Sequence, residues 1–183
     1  MHDLFGPSLP GFSIADAVIS PDEERALVEH ALALPLTPFK FQGWEGKRLT
    51  HSFGWHYDFE SGSVARADPI PEWLVPVRDR AARALGRHPA AFEQALVIRY
   101  DPGAGIGWHR DRPHFDEVIG VSLASPATMA FRRRRADGKF DRLKFPLAQR
   151  SAYAITSEAR RDWQHGIAVH DALRFSLTFR SLA

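Results

Sequence analysis

Apolar residues recur at helical spacing mainly in the first half of the chain. Ala26, Leu27, Ala31 and Leu34 share one helical face, ending at Pro35. Ahead of them, Ser20-Pro21-Asp22-Glu23 supplies an N-cap serine, proline at the first helical position and a glutamate placed to close a capping box. A second helix is expected from near Pro71-Glu72-Trp73 through Arg78–Ala82 to Gly86, a fitting C-terminal residue, with Pro76 interrupting its start. After residue 92 the period shortens to two. Ala95–Tyr100, Val118–Leu123, Thr128–Arg132, Ser151–Ile155 and Leu173–Arg180 read as short strands set apart by Gly, Pro and Asp turns. The pattern predicts an α+β chain in one domain over 1–183, with a helix-bearing part (1–92) followed by an all-β core of the sandwich or barrel kind (93–183).

The final strand breaks the usual rule. In Arg174-Phe175-Ser176-Leu177-Thr178-Phe179-Arg180, alternation places two arginines, a serine and a threonine on one face and three large apolar residues on the other. The polar face must meet solvent or line a polar cavity. At ~3.3 Å per residue the two arginine α-carbons stand roughly 20 Å apart. They therefore have different tasks, one suited to a ligand carboxylate and the other to a metal end or the fold.

Composition narrows the classes. At 183 residues the chain is long enough for one well-buried core. With no cysteine there is no disulfide partner, thiolate metal site or cysteine nucleophile. No apolar run approaches the ~20 residues of a membrane span, and Met1–Pro7 lacks the features of a secretory signal, so a cytoplasmic protein without a membrane partner is expected. Net charge is +2, yet lysine stands only at Lys40, Lys47, Lys139 and Lys144; the rest of the basic side is arginine. Biased base composition accounts for that total, whereas local clusters such as Arg132–Arg135 need their own reading.

A near-duplicate pentapeptide raises the chemistry. Gly-Trp-His-Tyr-Asp occupies 54–58 and Gly-Trp-His-Arg-Asp occupies 107–111. A histidine and a carboxylate two residues apart on a strand share a face and suit a divalent metal. The second copy follows a strand and the glycine-rich turn Asp101–Gly107. Non-haem iron sites use two histidines and one carboxylate, so a distant histidine is needed, and His165 stands 54 residues after Asp111 in another strand-like segment. The first copy precedes the β-rich part and lacks such a setting. His56 and Asp58 are expected not to bind metal; the stretch holding Trp44, Arg48, Trp55 and Tyr57 serves as a substrate-side wall or as packing over the core. His114 and His170 read as surface or loop residues, and Trp108 and Trp163 as outer packing.

Taken in order, Arg99-Tyr100-x-Pro102-Gly103, His109-x-Asp111, His165 and the Arg174–Arg180 strand resemble the AlkB-like Fe(II)/2-oxoglutarate dioxygenases. The resemblance covers roughly residues 40–180. It implies a double-stranded β-helix (jelly-roll) core with N-terminal helices packed on it. It also implies Fe(II) held by His109, Asp111 and His165, which are thereby the catalytic residues, with O2 and 2-oxoglutarate as cosubstrates. Arg174 would pair with the distal carboxylate of 2-oxoglutarate, Tyr100 would hydrogen-bond the cosubstrate, and Arg180 would serve near its metal-bound end. The implied reaction is oxidative demethylation of N-alkylated bases in single-stranded DNA or RNA, releasing succinate and formaldehyde.

The sequence departs from the founding members. Ile98 and Ser176 stand where they carry asparagine, Pro113 where some carry an acid, and the interval from His165 to Arg174 is short. Trp55, Tyr57, Arg48 and Arg160 are the candidate substrate-binding residues. Arg132–Arg135, Arg142 and Lys144 flank an expected hairpin loop at Ala136–Lys139, and Arg161 follows Arg160. Such runs suit phosphates or merely a solvated face. The alternatives are an oxygenase of the same fold acting on a protein side chain or small metabolite, and a catalytically silent jelly-roll binding module.

Overall fold

The computed structural model describes residues 8–41, 44–58 and 62–183, with no account of the side chains of 39–41, 44, 45 and 58. Thirteen strands are described: β1 (Phe12–Ala15), β2 (Thr37–Phe41), β3 (Trp44–Phe53), β4 (Trp55–Asp58), β5 (Ser63–Arg66), β6 (Phe92–Tyr100), β7 (Ile106–His109), β8 (Phe115–Leu123), β9 (Ala127–Arg134), β10 (Phe140–Leu147), β11 (Ala152–Ile155), β12 (Gln164–Ile167) and β13 (Arg174–Leu182). The helices are α1 (Pro21–Leu32), α2 (Val75–Ala84) and the short α3 (Ser157–Arg161). A seven-stranded sheet runs β1-β11-β8-β13-β6-β3-β2, a four-stranded sheet runs β10-β9-β12-β7, and β4 with β5 forms a separate hairpin. All pairings are antiparallel. This is the jelly-roll core with helices packed on it.

Two apolar layers hold the sheets. On the outer face of the large sheet, Phe175, Leu177 and Phe179 of β13 join Val97, Ile119 and Val121, and α1 and α2 lay Leu27, Ala31, Val77 and Ala81 over them. The α1 start forms as the sequence reads: Ser20 Oγ accepts from the Glu23 N–H at 3.2 Å, and the Glu23 carboxylate accepts from the Ser20 N–H at 2.8 Å. Helix α2 begins only at Val75, with Pro76 in its first turn. Its lead-in residue Trp73 stacks on His30 of α1, ring centroids 4.9 Å apart. Between the sheets, Met129, Phe131, Phe145, Leu147, Tyr153, Ile155 and Ile167 form the second layer.

The polar face of β13 is turned into that inter-sheet space. Arg174, Ser176, Thr178 and Arg180 are all buried, so this face is turned inward and does not meet solvent. Register extends the polar surface sideways: Ser176 stands beside Ser122 of β8 and Ile98 of β6, and Ile98 stands beside Thr50 of β3. This explains why β3 escaped the sequence pattern. Its inward positions are the polar Thr50 and Ser52, so the strand shows no apolar alternation, and the described residues before β6 hold five strands besides the expected helices. Among the described residues no helix is long and apolar enough to cross a membrane.

The two pentapeptides are structurally unrelated. Gly54 separates β3 from β4 with φ +76°, its N–H donates to the Asp68 carbonyl at 2.6 Å, and a Cβ there would lie 2.0 Å from the Glu93 carbonyl oxygen. Gly107 has no such φ, and a Cβ there would meet nothing within 4 Å. Gly54→Ala is expected to cost at least about 2 kcal/mol, from the left-handed backbone and the overlap together, and Gly107→Ala less than about 0.5 kcal/mol. Urea unfolding of the two variants checks this; equal losses would contradict it.

Candidate metal centre

Strands β7 and β12 lie side by side, and their register sets His165 opposite His109 with ring centroids 4.3 Å apart. His109 Nδ1 is 2.9 Å from the Gly107 carbonyl oxygen. A carbonyl only accepts, so Nδ1 carries the proton and Nε2 keeps its lone pair for a metal. Asp111 follows the end of β7. Its Oδ2 lies 4.0 Å from His165 Nε2, while Oδ1 accepts from Arg180 Nη2 at 3.3 Å. Among the described residues no group of three His, Asp or Glu side chains stands close enough to hold a metal ion as placed. One Asp111 oxygen is thus held by arginine while the other faces the His165 imidazole.

Electrostatics set the protonation that a metal requires. Burial, with the nearby His109, pushes the His165 imidazole down to about 3, and burial also lowers His109. Burial alone would raise the Asp111 carboxyl; Arg180 outweighs it, aided by His165, His109 and Arg160, and holds the group below the usual carboxylate range. Two neutral imidazoles and one ionised carboxylate therefore coexist at neutral pH. Arg180 keeps its other bonds within the wall, donating to Gln94 Oε1 at 3.0 Å and Thr178 Oγ1 at 3.4 Å.

At the other end of β13 the Arg174 guanidinium is fully buried. Nε and Nη2 donate to the single Ser122 Oγ at 3.2 and 3.1 Å, and the group lies 5.2 Å over the Tyr100 ring. Nη1 is buried without a partner, and no carboxylate among the described residues pairs with this arginine. A buried cation left one donor short and without an anion is costly unless a ligand completes it. Tyr100, directly opposite Arg174 in register, is buried too.

Several contributors escaped the sequence reading. Tyr153 of β11 lies across Gly120, where a Cβ would come 2.3 Å from its ring, and it hydrogen-bonds Ser176. The serine at the family's asparagine position is thus engaged by a tyrosine from another strand. Burial raises the Tyr153 phenol. Gly120 and Ser122, small residues at alternate positions of an apolar strand, were the available signal. His170, expected as a surface or loop residue, lies in the loop after β12, half-buried with its ring 6.2 Å from Tyr100 and both ring nitrogens unpartnered.

The candidate substrate-binding residues divide. Arg48 of β3 is half-buried; burial lowers its pKa, and the fields of Tyr100, Arg180 and Asp111 reach it, so it borders the centre. Tyr57 packs near Arg112 at 5.0 Å and His114 at 5.4 Å, bringing the β4–β5 hairpin against the chain that follows Asp111. Trp55 lies under the Arg66 guanidinium at 4.7 Å. Arg160 is buried and donates to the Arg112 and Phe115 carbonyls at 2.7 and 2.6 Å, clamping that same loop. His56 is exposed, and the Asp58 and Trp44 side chains lie outside those described. Trp163 is buried in the inter-sheet layer, whereas Trp108 is exposed.

Two facing antiparallel sheets with a buried polar strand face between them make a jelly roll. The model of the 2OG-Fe(II) oxygenase superfamily matches residues 11–180. Mouse tRNA (carboxymethyluridine(34)-5-O)-methyltransferase ALKBH8 is 30% identical over 164 residues, covering 86% of this chain and 24% of that protein. Alpha-ketoglutarate-dependent dioxygenase AlkB of Escherichia coli strain K12 is 26% identical over 163 residues, 82% of this chain and 72% of that protein. The chain thus spans about a quarter of the length of the ALKBH8 relatives. The solved structure of OsALKBH1 superposes with a TM-score of 0.74 at 18% identity, covering 96% of this chain and 98% of that one. The chain belongs to the 2OG-Fe(II) oxygenase superfamily and is AlkB-like. Membership makes it an enzyme using Fe(II), 2-oxoglutarate and O2. The neutral imidazole pair beside an ionised carboxylate, and the orphaned Nη1 of Arg174, suit that cation and that dicarboxylate.

The depressed imidazoles have a stability consequence. Below pH about 6.5 the unfolded chain binds a proton at His165 that the fold refuses, down to about pH 3, so stability falls with pH through that window; His109 acts in the same sense. With a chelator present, His165 alone should make the protein about 2 kcal/mol less stable at pH 5 than at pH 7. Urea midpoints should fall less steeply with pH in His165→Gln; parallel profiles would refute the assignment.

Proposed function

We propose that His109, Asp111 and His165 hold the iron, that Arg174 with Tyr100 receives the distal carboxylate of 2-oxoglutarate, and that the chain as one domain demethylates N-alkylated bases in single-stranded DNA or RNA. The observation that carries this reading is the fully buried Arg174, short of one partner and of any carboxylate, on the strand whose other end holds Asp111 through Arg180. When bound, the iron with 2-oxoglutarate and O2 supplies the oxidation of a C–H bond, the cosubstrate leaving as succinate and CO2.

The protein's residues supply geometry and charge. Arg180 fixes one Asp111 oxygen, Gly107 fixes the His109 tautomer, and Arg160 holds the chain from Arg112 to Phe115 behind the carboxylate. The buried apolar layer of Phe131, Ile155 and Ile167, with Phe131 5.9 Å from the His165 ring, shields this side of the site from bulk water. Arg48, Trp55 and Tyr57 border the mouth, where a cation and aromatic rings suit a single extruded base. The names of the relatives support both parts, one being an alpha-ketoglutarate-dependent dioxygenase and another acting on tRNA. An N-methyl carbon hydroxylated here would leave as formaldehyde and restore the amine.

Mass spectrometry of methylated DNA and RNA oligonucleotides, incubated with protein, Fe(II), 2-oxoglutarate and ascorbate, tests the reaction. Loss of one methyl mass is expected, with none in His165→Ala. Succinate formed while every oligonucleotide stays unchanged would move the substrate to a protein side chain or metabolite. Arg174→Gln is expected to raise the KM for 2-oxoglutarate about 10- to 100-fold, the worth of a charge-assisted hydrogen-bond pair. An unchanged KM would remove Arg174 from the cosubstrate site.

A further inference from the structure

The outer face of the four-stranded sheet carries a row that the centre does not use. Register aligns Gln164 of β12, Arg132 of β9 and Arg142 of β10 across three adjacent strands. Trp108 of β7 joins this row, its ring 4.7 Å below the Arg132 guanidinium. The same guanidinium lies 4.7 Å over Phe140, which also has Arg142 at 5.6 Å. Arg134 stands opposite Phe140, and Lys144 is next but one to Arg142, on the same face.

Neutralising partners lie on the other face. Asp141 stands opposite Arg133 and pairs with it at 3.6 Å, and Asp137 and Asp141 face Arg135 at 3.4 and 3.9 Å. Arg132, Arg134, Arg142 and Lys144 have no ion pair among the described residues; besides the two rings, Arg132 donates to Gln164 Oε1 at 2.8 Å. Arg132 and Arg142 oppose each other directly across two strands, a like-charge pairing that costs stability in isolation. Trp108 is 38% exposed although large and apolar. Cations without counter-charge interleaved with accessible aromatic rings match a polyanion that also presents ring faces, which is single-stranded nucleic acid.

Position links this row to the centre. Trp108 and Gln164 immediately precede His109 and His165, so row and ligands lie on opposite faces of the same two strands. Strand β7 is the edge of its sheet, and a chain leaving the mouth needs only to round that edge to reach Trp108. We propose that Trp108, Arg132, Phe140, Arg142 and Lys144 form a track for the nucleotides flanking the reacting base, taking phosphates on the cations and bases on the rings. This deepens the nucleic-acid reading above and rests on it for the strand's direction, although binding is measurable without turnover.

The test is fluorescence anisotropy with an unmodified single-stranded oligonucleotide over a series of salt concentrations. The Arg142→Gln/Lys144→Gln protein is expected to bind several-fold more weakly, with the slope of log affinity against log salt reduced by about 0.7 for each phosphate no longer neutralised. Trp108→Leu is expected to lose at least about fivefold in affinity with the slope unchanged, because stacking releases no counterions. Circular dichroism melts confirm that each variant is folded. Affinities and slopes equal to those of the unaltered protein would overturn the track, as would failure of the unaltered protein to bind any oligonucleotide. If binding behaves as expected but no methylated oligonucleotide is turned over, the track stands and the demethylation reading fails. A methylated trinucleotide turned over alongside a longer strand, with the double variant raising KM only for the longer one, supports both.

Discussion

Burying a charge between two sheets demands that something meet it, and β13 brings two charges into that space. Arg180 is met from within, by Asp111, Gln94 and Thr178. Arg174 is met only in part, by one serine hydroxyl and the face of Tyr100. Much of the interior is arranged around these two ends. Small residues on β8, polar residues on β3 and the tyrosines of β6 and β11 keep this interior polar where an ordinary jelly roll would fill it with branched apolar side chains. The aliphatic and aromatic residues displaced from that face appear on the back of β13, where α1 and α2 cover them.

Asp111 is the point where these demands meet. Its charge stabilises Arg180, and Arg180 in turn keeps it ionised against burial, so an imidazole pair that remains neutral has an anion beside it. Removing either partner leaves the other as a lone buried charge, a far greater penalty than the net worth of the pair. The chain that carries Asp111 is irregular, and its shape depends on Arg160 reaching across from α3 to two of its carbonyls.

Much of this was legible in the chain and some was not, for identifiable reasons. The capping box of α1, the strands β6, β8, β9, β11 and β13 and the inverted polarity of β13 follow from local pattern, since those segments obey a single rule along their length, whereas β10 was not read as a strand. His109 and His165 were legible as candidates from spacing, and the register that sets them opposite each other was not, because pairing partners distant in sequence leave no local trace. β3 was invisible because its inner face continues the polar floor. Tyr153 was hidden inside an apolar run, where alternation cannot say which face looks inward. Arg160 read as a candidate substrate-binding cation just before the distal histidine; its burial against backbone carbonyls depends on a loop shape that no pattern encodes.

The two halves of the site stand on elements of unequal firmness. β13 is paired on both edges and its residues 174–180 are buried on both faces, so its amides should be among the last to exchange with solvent. His109 ends a four-residue edge strand, and Asp111 lies beyond any strand. The arginine pocket is thus anchored to the part of the molecule that opens only with global unfolding, while two of the proposed ligands sit where local fluctuations cost least. Loss and reloading of a metal would then require only a local breath of the smaller sheet, leaving the dicarboxylate pocket intact throughout.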